Sequence, residues 1–388
     1  MDSGPDPTPN ETPATRHKCS ACFKQYKKKE HLVEHMRVSY HSVHEPKCGV
    51  CKKHCKSFES VREHLMGPLP KANCAKIYSA RGCDLCLNVF DSTEARDAHK
   101  ELCRLSPASS GPPTTNLKFV ENGSPLDMEI SGLPSAGDGN EVSKVVALDC
   151  EMVGGGSDGS LDLCARVCII DEKENVIFHS YVIPQIPVTN YRFEVTGITE
   201  ENLKDAMPLK LVQEKVQEIL FNGESIWKIR LDGGKARILV GHELEHDLCC
   251  LRLNYPDHLI RDTAKYRPLM KTNLISHSLK YLTQTYLGQF SLANMDQPYL
   301  INCGRTSFHK WYDIQSGVHD PYEDSVAAMR LYKRMRAQVH QPAEALTLSG
   351  SLHDPWIQKQ VEKMTPDALL EISRSNYRCW CLDSGQPI

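Results

Sequence analysis

The sequence lacks any apolar run that approaches the roughly 18 to 20 residues of a membrane-spanning helix. Its first residues are polar and rich in proline, so they also lack the apolar core of a signal peptide. From these two absences we expect an intracellular protein with no membrane partner. The hydrophobic fraction of 40% and the charged fraction of 24% are ordinary for a soluble globular protein. The 388 residues leave room for two or three domains of about 150 residues each.

The net charge of −3 is spread unevenly along the chain. Residues 16–103 contain 17 Lys and Arg against 10 Asp and Glu, a net charge of +7 that leaves −10 for the rest. A basic front on an acidic body indicates an acidic partner, and nucleic acid is the first choice. A merely solvated basic surface is the alternative.

Seventeen cysteines require an explanation other than disulfide bonds, because the chain shows no export signal. Nine of them fall between Cys19 and Cys103, where histidines are also frequent. Thiolate–metal sites are the better interpretation of such a Cys/His-rich segment.

The first Cys/His group has the ligand spacing of a two-Cys, two-His zinc finger. Its predicted ligands are Cys19, Cys22, His35 and His41. Tyr26 and Leu32 fall where such a finger needs its small apolar core. A module this short buries too little surface to fold alone, so zinc binding would supply its folding free energy.

Two further groups repeat the interval of the first three ligands. One predicted set is Cys83, Cys86, His99 and Cys103, with Phe90 in the core position. The other set is degenerate and consists of Cys48, Cys51 and His64, with Cys74 as the nearest fourth ligand. Cys55 occupies the core position of that finger and is not predicted to be a ligand.

Zinc fingers need not read DNA. Arrays that read the major groove have short, regular linkers and about 3 bp per finger, whereas the intervals here are irregular. Basic side chains of the array are placed to contact phosphates without reading bases; they include Lys27, Lys28, Lys29, Lys52, Lys53 and Lys56. Protein contacts or a structural cap are the alternative role.

Composition divides the chain into five segments. Residues 1–16 read as a disordered N-terminus, 17–103 as the zinc-finger array, and 104–142 as a flexible linker rich in Ser, Gly and Pro. Residues 143–340 alternate strands and helices, which predicts a mixed sheet flanked by helices. Residues 341–388 form a tail with one helix, which Thr365 caps and Pro366 begins.

Five residues of the α/β segment stand out. Asp149 and Glu151 lie two apart in a predicted strand, so both carboxylates face the same side of the sheet. Two carboxylates this close repel each other unless a cation lies between them, and hard oxygen ligands suit Mg²⁺ or Mn²⁺. Asp247 follows a second strand at a helix start, and Asp324 opens a later helix five residues after His319.

The order and spacing of these five residues resemble the DEDDh family of 3′-5′ exonucleases, specifically its RNA-exonuclease branch. The matching blocks are 145–152, 240–247 and 319–324, and the motif at 195–199 is also typical of that branch. The resemblance covers about half of the chain, residues 143–337, and implies a ribonuclease-H-like fold. A plant-type subset of this family also carries N-terminal zinc fingers.

The resemblance implies a mechanism and a location. Asp149, Glu151, Asp247 and Asp324 would hold two Mg²⁺ or Mn²⁺ ions, and His319 would be the general base that activates water. A related subgroup uses a Tyr four residues before the last Asp, but position 320 is Asp here, so His319 is the better candidate. The implied product is a nucleoside 5′-monophosphate from the 3′ end of nucleic acid, with RNA favoured over DNA. The implied location is the nucleus or nucleolus.

One departure from the family pattern lies immediately upstream of the predicted base. Residues 289–311 form an insertion without clear periodicity, longer than loops of compact domains usually are. It leaves two alternatives open beside the RNA exonuclease. One is a nucleic-acid-binding zinc-finger protein whose nuclease domain is inactive, and the other is a DNA 3′-5′ exonuclease.

Overall fold

The computed structural model describes residues 16–103, 143–230, 234–288, 314–315, 317–338, 340 and 355–384. The predicted N-terminal segment up to residue 15, the predicted linker 104–142 and the insertion 289–311 lie outside the described residues. The chain divides into two compact units, residues 1–80 with 336–388, and residues 81–335. Among the described residues, no helix has both the length and the apolar character to cross a membrane.

The strands of the described residues are β1 (His17–Lys18), β2 (Gln25–Tyr26), β3 (Val145–Gly155), β4 (Leu161–Asp171), β5 (Val176–Ile183), β6 (Val188–Asn190), β7 (Met207–Pro208), β8 (Ile238–Gly241) and β9 (Ile260–Asp262). The helices are α1 (Lys29–Ser39), α2 (Phe58–Met66), α3 (Ala72–Arg81), α4 (Thr93–Cys103), α5 (Phe193–Thr196), α6 (Glu200–Leu203), α7 (Leu209–Phe221), α8 (Leu244–Cys250), α9 (Leu279–Leu287), α10 (Pro321–Arg336), α11 (Pro355–Lys363) and α12 (Pro366–Ile372).

A seven-stranded sheet forms the centre of the unit of residues 81–335. Its strand order is β7-β5-β4-β3-β8-β9, and β6 pairs with β3 outside this path. The pairs β3–β4 and β4–β5 are antiparallel, whereas β3–β8, β8–β9 and β5–β7 are parallel. The mixed sheet that the sequence predicted is therefore confirmed.

Strand β3 separates the apolar core from the acidic face. Val146, Leu148 and Cys150 are buried in the main hydrophobic cluster together with side chains of α7 and α8. Helix α7 presents Val212, Val216 and Leu220 to that cluster, at the four-residue spacing that keeps apolar side chains on one helix face. Since side chains alternate along a strand, Asp149 and Glu151 face the other side.

Most element predictions for this unit are confirmed, with shifts at some ends. The helical spacing of apolar residues predicts a helix over 209–221, and α7 has these bounds. Helix α10 begins at Pro321, three residues before the predicted start, because proline suits a first turn where its missing N–H has no partner to lose. The sequence predicts a helix over 244–253, but α8 ends at Cys250, since Arg252 adopts a left-handed φ of 53° and the Leu253 N–H donates back to the Leu248 carbonyl.

The unit of residues 1–80 and 336–388 has a core of its own. Leu32 and Met36 of α1 are buried in one cluster with Val361 of α11 and Leu369 and Leu370 of α12. The predicted helix of the tail is α12: Thr365 caps it by accepting a hydrogen bond from the Ala368 N–H at 3.2 Å, and proline occupies its first turn. Helix α11 is a second helix of the tail, which was not predicted. Both ends of the chain therefore contribute to one apolar core, a pairing that the sequence did not indicate.

Candidate active site and metal centres

Asp149 and Glu151 lie on the face of β3 that looks away from the main apolar core. In the antiparallel ladder with β4, Asp149 lies opposite Cys168 and Glu151 lies opposite Arg166. Directly paired residues share a face of the sheet, so Arg166 is the basic neighbour of the acidic pair. Immediately after Glu151 the register shifts by a β-bulge, a feature that often lies next to active sites.

Asp247 reaches the same region from the end of the neighbouring strand. Strand β8 ends at Gly241, whose Cβ position would lie 2.9 Å from the Leu148 carbonyl, so a side chain here would collide with β3. The chain then enters α8, and the Glu243 N–H donates to Asp262 Oδ1 at 2.9 Å. Asp247 is buried in the first turn of α8 and interacts with the backbone of Cys150. The short strand therefore delivers Asp247 beside the acidic face of β3.

Asp324 occupies the first turn of α10 and is buried. Its N–H donates to the Asp320 carbonyl at 3.0 Å, and its Oδ2 accepts a hydrogen bond from Gln315 Nε2 at 2.9 Å. Its other oxygen, Oδ1, is buried without a hydrogen-bond partner among the described residues. A buried carboxylate oxygen is normally paired, so this orphan is where a cation would fit.

His319 is held on the loop before α10 by a turn of the motif at 195–199. The His319 N–H donates to the Val195 carbonyl at 2.6 Å. Gly197 has a φ of +62°, and a Cβ there would lie 2.6 Å from Val318 Cγ1. Gly197, which has no side chain, thus leaves room for Val318. The Val195 carbonyl fixes the backbone of His319.

The structure brings part of the predicted set into contact distance. One nitrogen of His319 and one oxygen each of Glu151 and Asp324 lie within 4.8 Å of one another. Asp149 and Asp247 are not part of this close group, but Asp149 is near enough to Asp247, Asp324 and Glu151 for each to raise its pKa. Tyr322 is directed elsewhere, because its hydroxyl donates to the Glu174 carbonyl at 3.3 Å. The Tyr322 hydroxyl is therefore not directed at the acidic group.

Desolvation makes all four carboxylates weak acids, and the charges of nearby acids add to the effect. Burial raises the pKa of Asp149 and of Asp247 well above the usual range. Burial and the nearby charge of Asp324 raise the pKa of Glu151 to about 8, although Arg166 opposes this shift. Burial raises the pKa of Asp324 to about 7, against the hydrogen bond from Gln315. Without cations, the site holds protons in place of positive charge.

Two histidines near the acids, His319 and His179, have lowered pKa values, whereas the pKa values of the acids are raised. Burial, and then the charge of Lys280, lowers the pKa of His319, which favours the neutral imidazole that can accept a proton. Burial and the charge of Arg166 lower the pKa of His179 to about 4. Arg166 donates to His179 Nε2 at 2.9 Å and to Asp320 Oδ1 at 3.3 Å. The Arg166 guanidinium therefore binds Asp320, the residue that follows His319.

Two residues of this site were missed by the reasoning from sequence. Gln315 orients Asp324, and Arg166 joins β4 to Asp320. Gln315 had only its position nine residues before Asp324 as a signal. Arg166 lies within a strand pattern that predicts burial, and a buried arginine is unusual. An arginine at such a position was the available signal.

Each predicted zinc set is assembled in space. Within each of three sets, one ligand atom from every residue lies within 4.8 Å of the others: Cys19, Cys22, His35 and His41; Cys48, Cys51, His64 and Cys74; Cys83, Cys86, His99 and Cys103. The second set includes the irregular fourth ligand, Cys74, which α3 supplies. Cys55 belongs to none of these sets.

The surroundings of the first finger also suit a metal. His41 Nδ1 lies 2.8 Å from the buried carboxylate of Glu45, which also pairs with Lys56 at 2.7 Å. Histidine ligands of zinc usually place their second ring nitrogen against such a carboxylate, which fixes the ring and its tautomer. Lys56, predicted to be free for phosphate contacts, is instead occupied by this ion pair.

Comparison with known proteins agrees with the geometry of the larger unit. A family model described as Exonuclease matches residues 146–297. RNA exonuclease 4 of Homo sapiens is 36% identical over 199 residues, which cover 51% of this chain and 38% of that protein. RNA exonuclease 4 of Candida glabrata is 32% identical over 219 residues, which cover 56% of this chain and 69% of that protein. The chain belongs to the exonuclease family.

Membership of this family agrees with the ribonuclease-H-like fold that the sequence predicted. The matched segment contains Asp149, Glu151 and Asp247 and ends before His319 and Asp324. The chain spans 38% of the length of the human relative, well under half. A solved structure of the Saccharomyces cerevisiae Pan2 pseudoubiquitin hydrolase-RNA exonuclease module with A7 RNA is 24% identical, covers 51% of this chain and 29% of that chain, and has a TM-score of 0.37.

Proposed function

We propose that this protein is a divalent-metal-dependent 3′-5′ exonuclease that removes nucleoside 5′-monophosphates from RNA. The observation that carries the proposal is the convergence of Glu151, His319 and the orphaned carboxylate of Asp324 within 4.8 Å, beside the half-buried Asp149 and the buried Asp247. RNA is preferred because the relatives compared above are named RNA exonucleases. A nuclear location stays a prediction from this chemistry.

Four carboxylates would hold two Mg²⁺ or Mn²⁺ ions: Asp149, Glu151, Asp247 and Asp324. Bound there, the ions would lower the pKa of the attacking water and neutralise charge on the phosphate. His319 would take the proton of that water while its oxygen bonds to phosphorus. The bond from phosphorus to the 3′ oxygen of the preceding nucleotide breaks, that oxygen gains a proton, and a nucleoside 5′-monophosphate leaves. Arg166 and the turn at Val195 would hold the loop that carries His319.

The finger array would supply affinity for the nucleic acid, with Zn²⁺ in each of the three predicted sets. Lys27, Lys28 and Lys52 have exposed side chains suited to phosphate contacts. Zinc here would be structural, since each set offers four protein ligands and leaves no open position for water. Membership of the plant-type subset remains a prediction from the combination of fingers and exonuclease domain.

The test compares matched RNA and DNA oligonucleotides with the full-length protein. With Mg²⁺ or Mn²⁺, 5′-labelled RNA is expected to shorten stepwise from its 3′ end, and 3′-labelled RNA to release labelled nucleoside 5′-monophosphate. Asp247→Asn is expected to abolish shortening, while Glu245→Gln on the same helix keeps it, because Glu245 is exposed and pairs with the exposed Lys265 at 2.6 Å.

The alternatives predict different results in the same assay. A DNA exonuclease would shorten DNA at least as fast as RNA. A nucleic-acid-binding protein with an inactive nuclease domain would retain both oligonucleotides without any metal-dependent shortening. Full activity of Asp247→Asn would show that the site is assigned to the wrong residues.

A further inference from the structure

A fourth cluster of Cys and His side chains lies outside the three predicted fingers. One ligand atom from each of four residues lies within 4.8 Å of the other three: His44, His340, Cys379 and Cys381. His44 lies on the loop after the first finger, and the other three belong to the C-terminal segment of the same compact unit. No motif in the sequence indicated that these residues would meet.

The distances within this cluster suit a tetrahedral zinc ion. Zinc with bonds of about 2.1 Å to nitrogen and 2.3 Å to sulfur places two nitrogen ligands about 3.4 Å apart, and nitrogen and sulfur ligands about 3.6 Å apart. His44 Nδ1 lies 3.2 Å from His340 Nδ1. Cys381 Sγ lies 3.4 Å from His44 Nδ1 and 3.1 Å from His340 Nδ1, and Cys379 Sγ lies 3.7 Å from His340 Nδ1.

The same spacing recurs in the three finger sets. The Sγ-to-Nε2 distance is 3.2 Å between Cys22 and His35, 3.3 Å between Cys51 and His64, and 3.2 Å between Cys86 and His99. The fourth cluster therefore has the geometry of the sets that the sequence assigned to zinc. It differs in its use of Nδ1 and in its short Cys-x-Cys step.

The surroundings of the cluster fix its ligands. The Tyr377 hydroxyl donates to the His44 carbonyl at 2.7 Å, which ties the loop to the segment that carries both cysteines. Cys379 and Trp380 are buried, with exposed fractions of 2% and 4%. The rings of His44 and His340 are nearly perpendicular, with an interplanar angle of 80°. This edge-on arrangement brings both Nδ1 atoms to one point without stacking the rings.

We propose that four residues bind a fourth structural Zn²⁺ ion: His44, His340, Cys379 and Cys381. This ion would hold the C-terminal segment against the first two fingers, which belong to the same compact unit. Two thiolates and two imidazoles are soft and borderline ligands that favour zinc over Mg²⁺ or Ca²⁺. Four protein ligands close the coordination sphere, which is the arrangement of structural rather than catalytic zinc.

The fourth centre would share a loop with the first finger. Glu45, which follows His44 directly, accepts a hydrogen bond from His41 of the first finger at 2.8 Å. Residues 41–45 thus run from a ligand of one centre to a ligand of the next. Together with the apolar core formed by α1, α11 and α12, the ion would make the C-terminal segment part of the folded finger module.

The test measures zinc per chain on full-length, reduced protein after removal of loosely bound metal. Wild type is expected to hold four Zn²⁺ ions, one for each Cys/His set, and Cys379→Ser with Cys381→Ser is expected to hold three. Cys55→Ser is the matched control, since Cys55 lies in the same unit but in none of the sets, and it should keep four. Equal zinc content in wild type and the double variant would overturn the proposal.

A second pair of variants guards against a general folding defect. His340→Cys preserves a soft ligand and should keep four ions, whereas His340→Ala should lose one and expose the C-terminal segment to limited proteolysis. Equal zinc content in these two variants would also overturn the proposal, as would a Cys379–Cys381 disulfide in freshly purified wild type. Because the readout is metal content, its failure would leave the proposed nuclease activity untouched.

Discussion

Four acids lie together beside β3, and each holds its proton more tightly than a free carboxylic acid. The cause is physical: desolvation raises the pKa of Asp149, Glu151, Asp247 and Asp324, and nearby negative charges add to the shift. Such a site is poised to exchange protons for cations. The affinity for Mg²⁺ should therefore rise with pH through the range in which these acids lose their protons.

We expect the thermal stability of the magnesium-free protein to fall as pH rises from about 5 to 8. Glu151 has a pKa of about 8 in the fold against an ordinary value of 4.5, so the folded state binds more protons than the unfolded chain in this window. Stability that depends on a raised pKa is present at low pH and is lost as pH rises through the folded pKa. Calorimetry across this range measures the fall, and saturating Mg²⁺ should reverse it.

Asp324→Asn serves as the comparison for this pH effect. The amide cannot ionise, so the variant should show a flatter decline in melting temperature between about pH 5 and 8 and a weaker response to Mg²⁺. The same pH profile in wild type and variant would contradict the assignment of the decline to these acids.

Replacement of His319 should separate metal binding from turnover. His319→Ala is expected to lower kcat by about 10² to 10⁴-fold, the usual contribution of a general base, while the Mg²⁺ dependence stays near that of wild type. Tyr322→Phe is the matched control, because its hydroxyl contacts the Glu174 carbonyl and not the acids. Single-turnover kinetics with both variants would reject the role of His319 if the two rates were similar.

Sequence patterns sufficed for residues that chemistry and local spacing single out. Asp149 and Glu151 were predicted to share a face from their two-residue step, and β3 confirms it. Arg166 was not predicted because its partner Asp320 lies 154 residues away, and no local rule connects them. Contacts of this kind depend on how β4 and the loop before α10 meet in the finished fold.

At the scale of elements, the turn at 195–199 acts on the loop that carries His319. Gly197→Ala should lower turnover by about 10²-fold, the effect expected of a misplacement near 1 Å, because its Cβ would lie 2.6 Å from Val318 Cγ1. Steady-state kinetics on RNA at saturating Mg²⁺ provide the measurement. Gly223→Ala is the control: its φ of +74° imposes a similar backbone strain, but nothing lies within 4 Å of the new Cβ. Equal turnover in the two variants would show that the turn does not position His319.

Helix and strand bounds were predictable where periodicity alone decides them. The four-residue spacing of apolar residues in α7 fixed both of its ends, and the structure confirms them. Helix α8 was predicted too long because its apolar pattern continues to Leu253, whereas the backbone reverses at Arg252. The apolar pattern predicts which side chains are buried. It does not distinguish a buried turn from the last turn of a helix, because both bury apolar side chains.

At the scale of the whole chain, the sequence indicated the separate segments but not that α1 shares an apolar core with α11 and α12. Val361, Leu369 and Leu370 pack with α1, more than 300 residues earlier in the chain. The cap at Thr365 and the proline after it predicted a helix in the C-terminal segment, yet they carried no information about which surface would cover that helix. The unit of residues 1–80 with 336–388 and the unit of residues 81–335 each have a core of their own. The two units should therefore respond differently to loss of zinc.

Removal of zinc by a selective chelator should therefore unfold one unit and spare the core of the other. We expect amides of α1, α2 and α12 to lose protection from hydrogen exchange, because small zinc modules lack the buried area to fold without metal. Amides of β3 and β4 should keep their protection, since a seven-stranded sheet and its apolar cluster hold them. Exchange measured by mass spectrometry on apo and zinc-restored protein resolves these segments. Retained protection in α1 after metal analysis shows complete zinc loss would mean that the core shared with α11 and α12 is sufficient to fold the module.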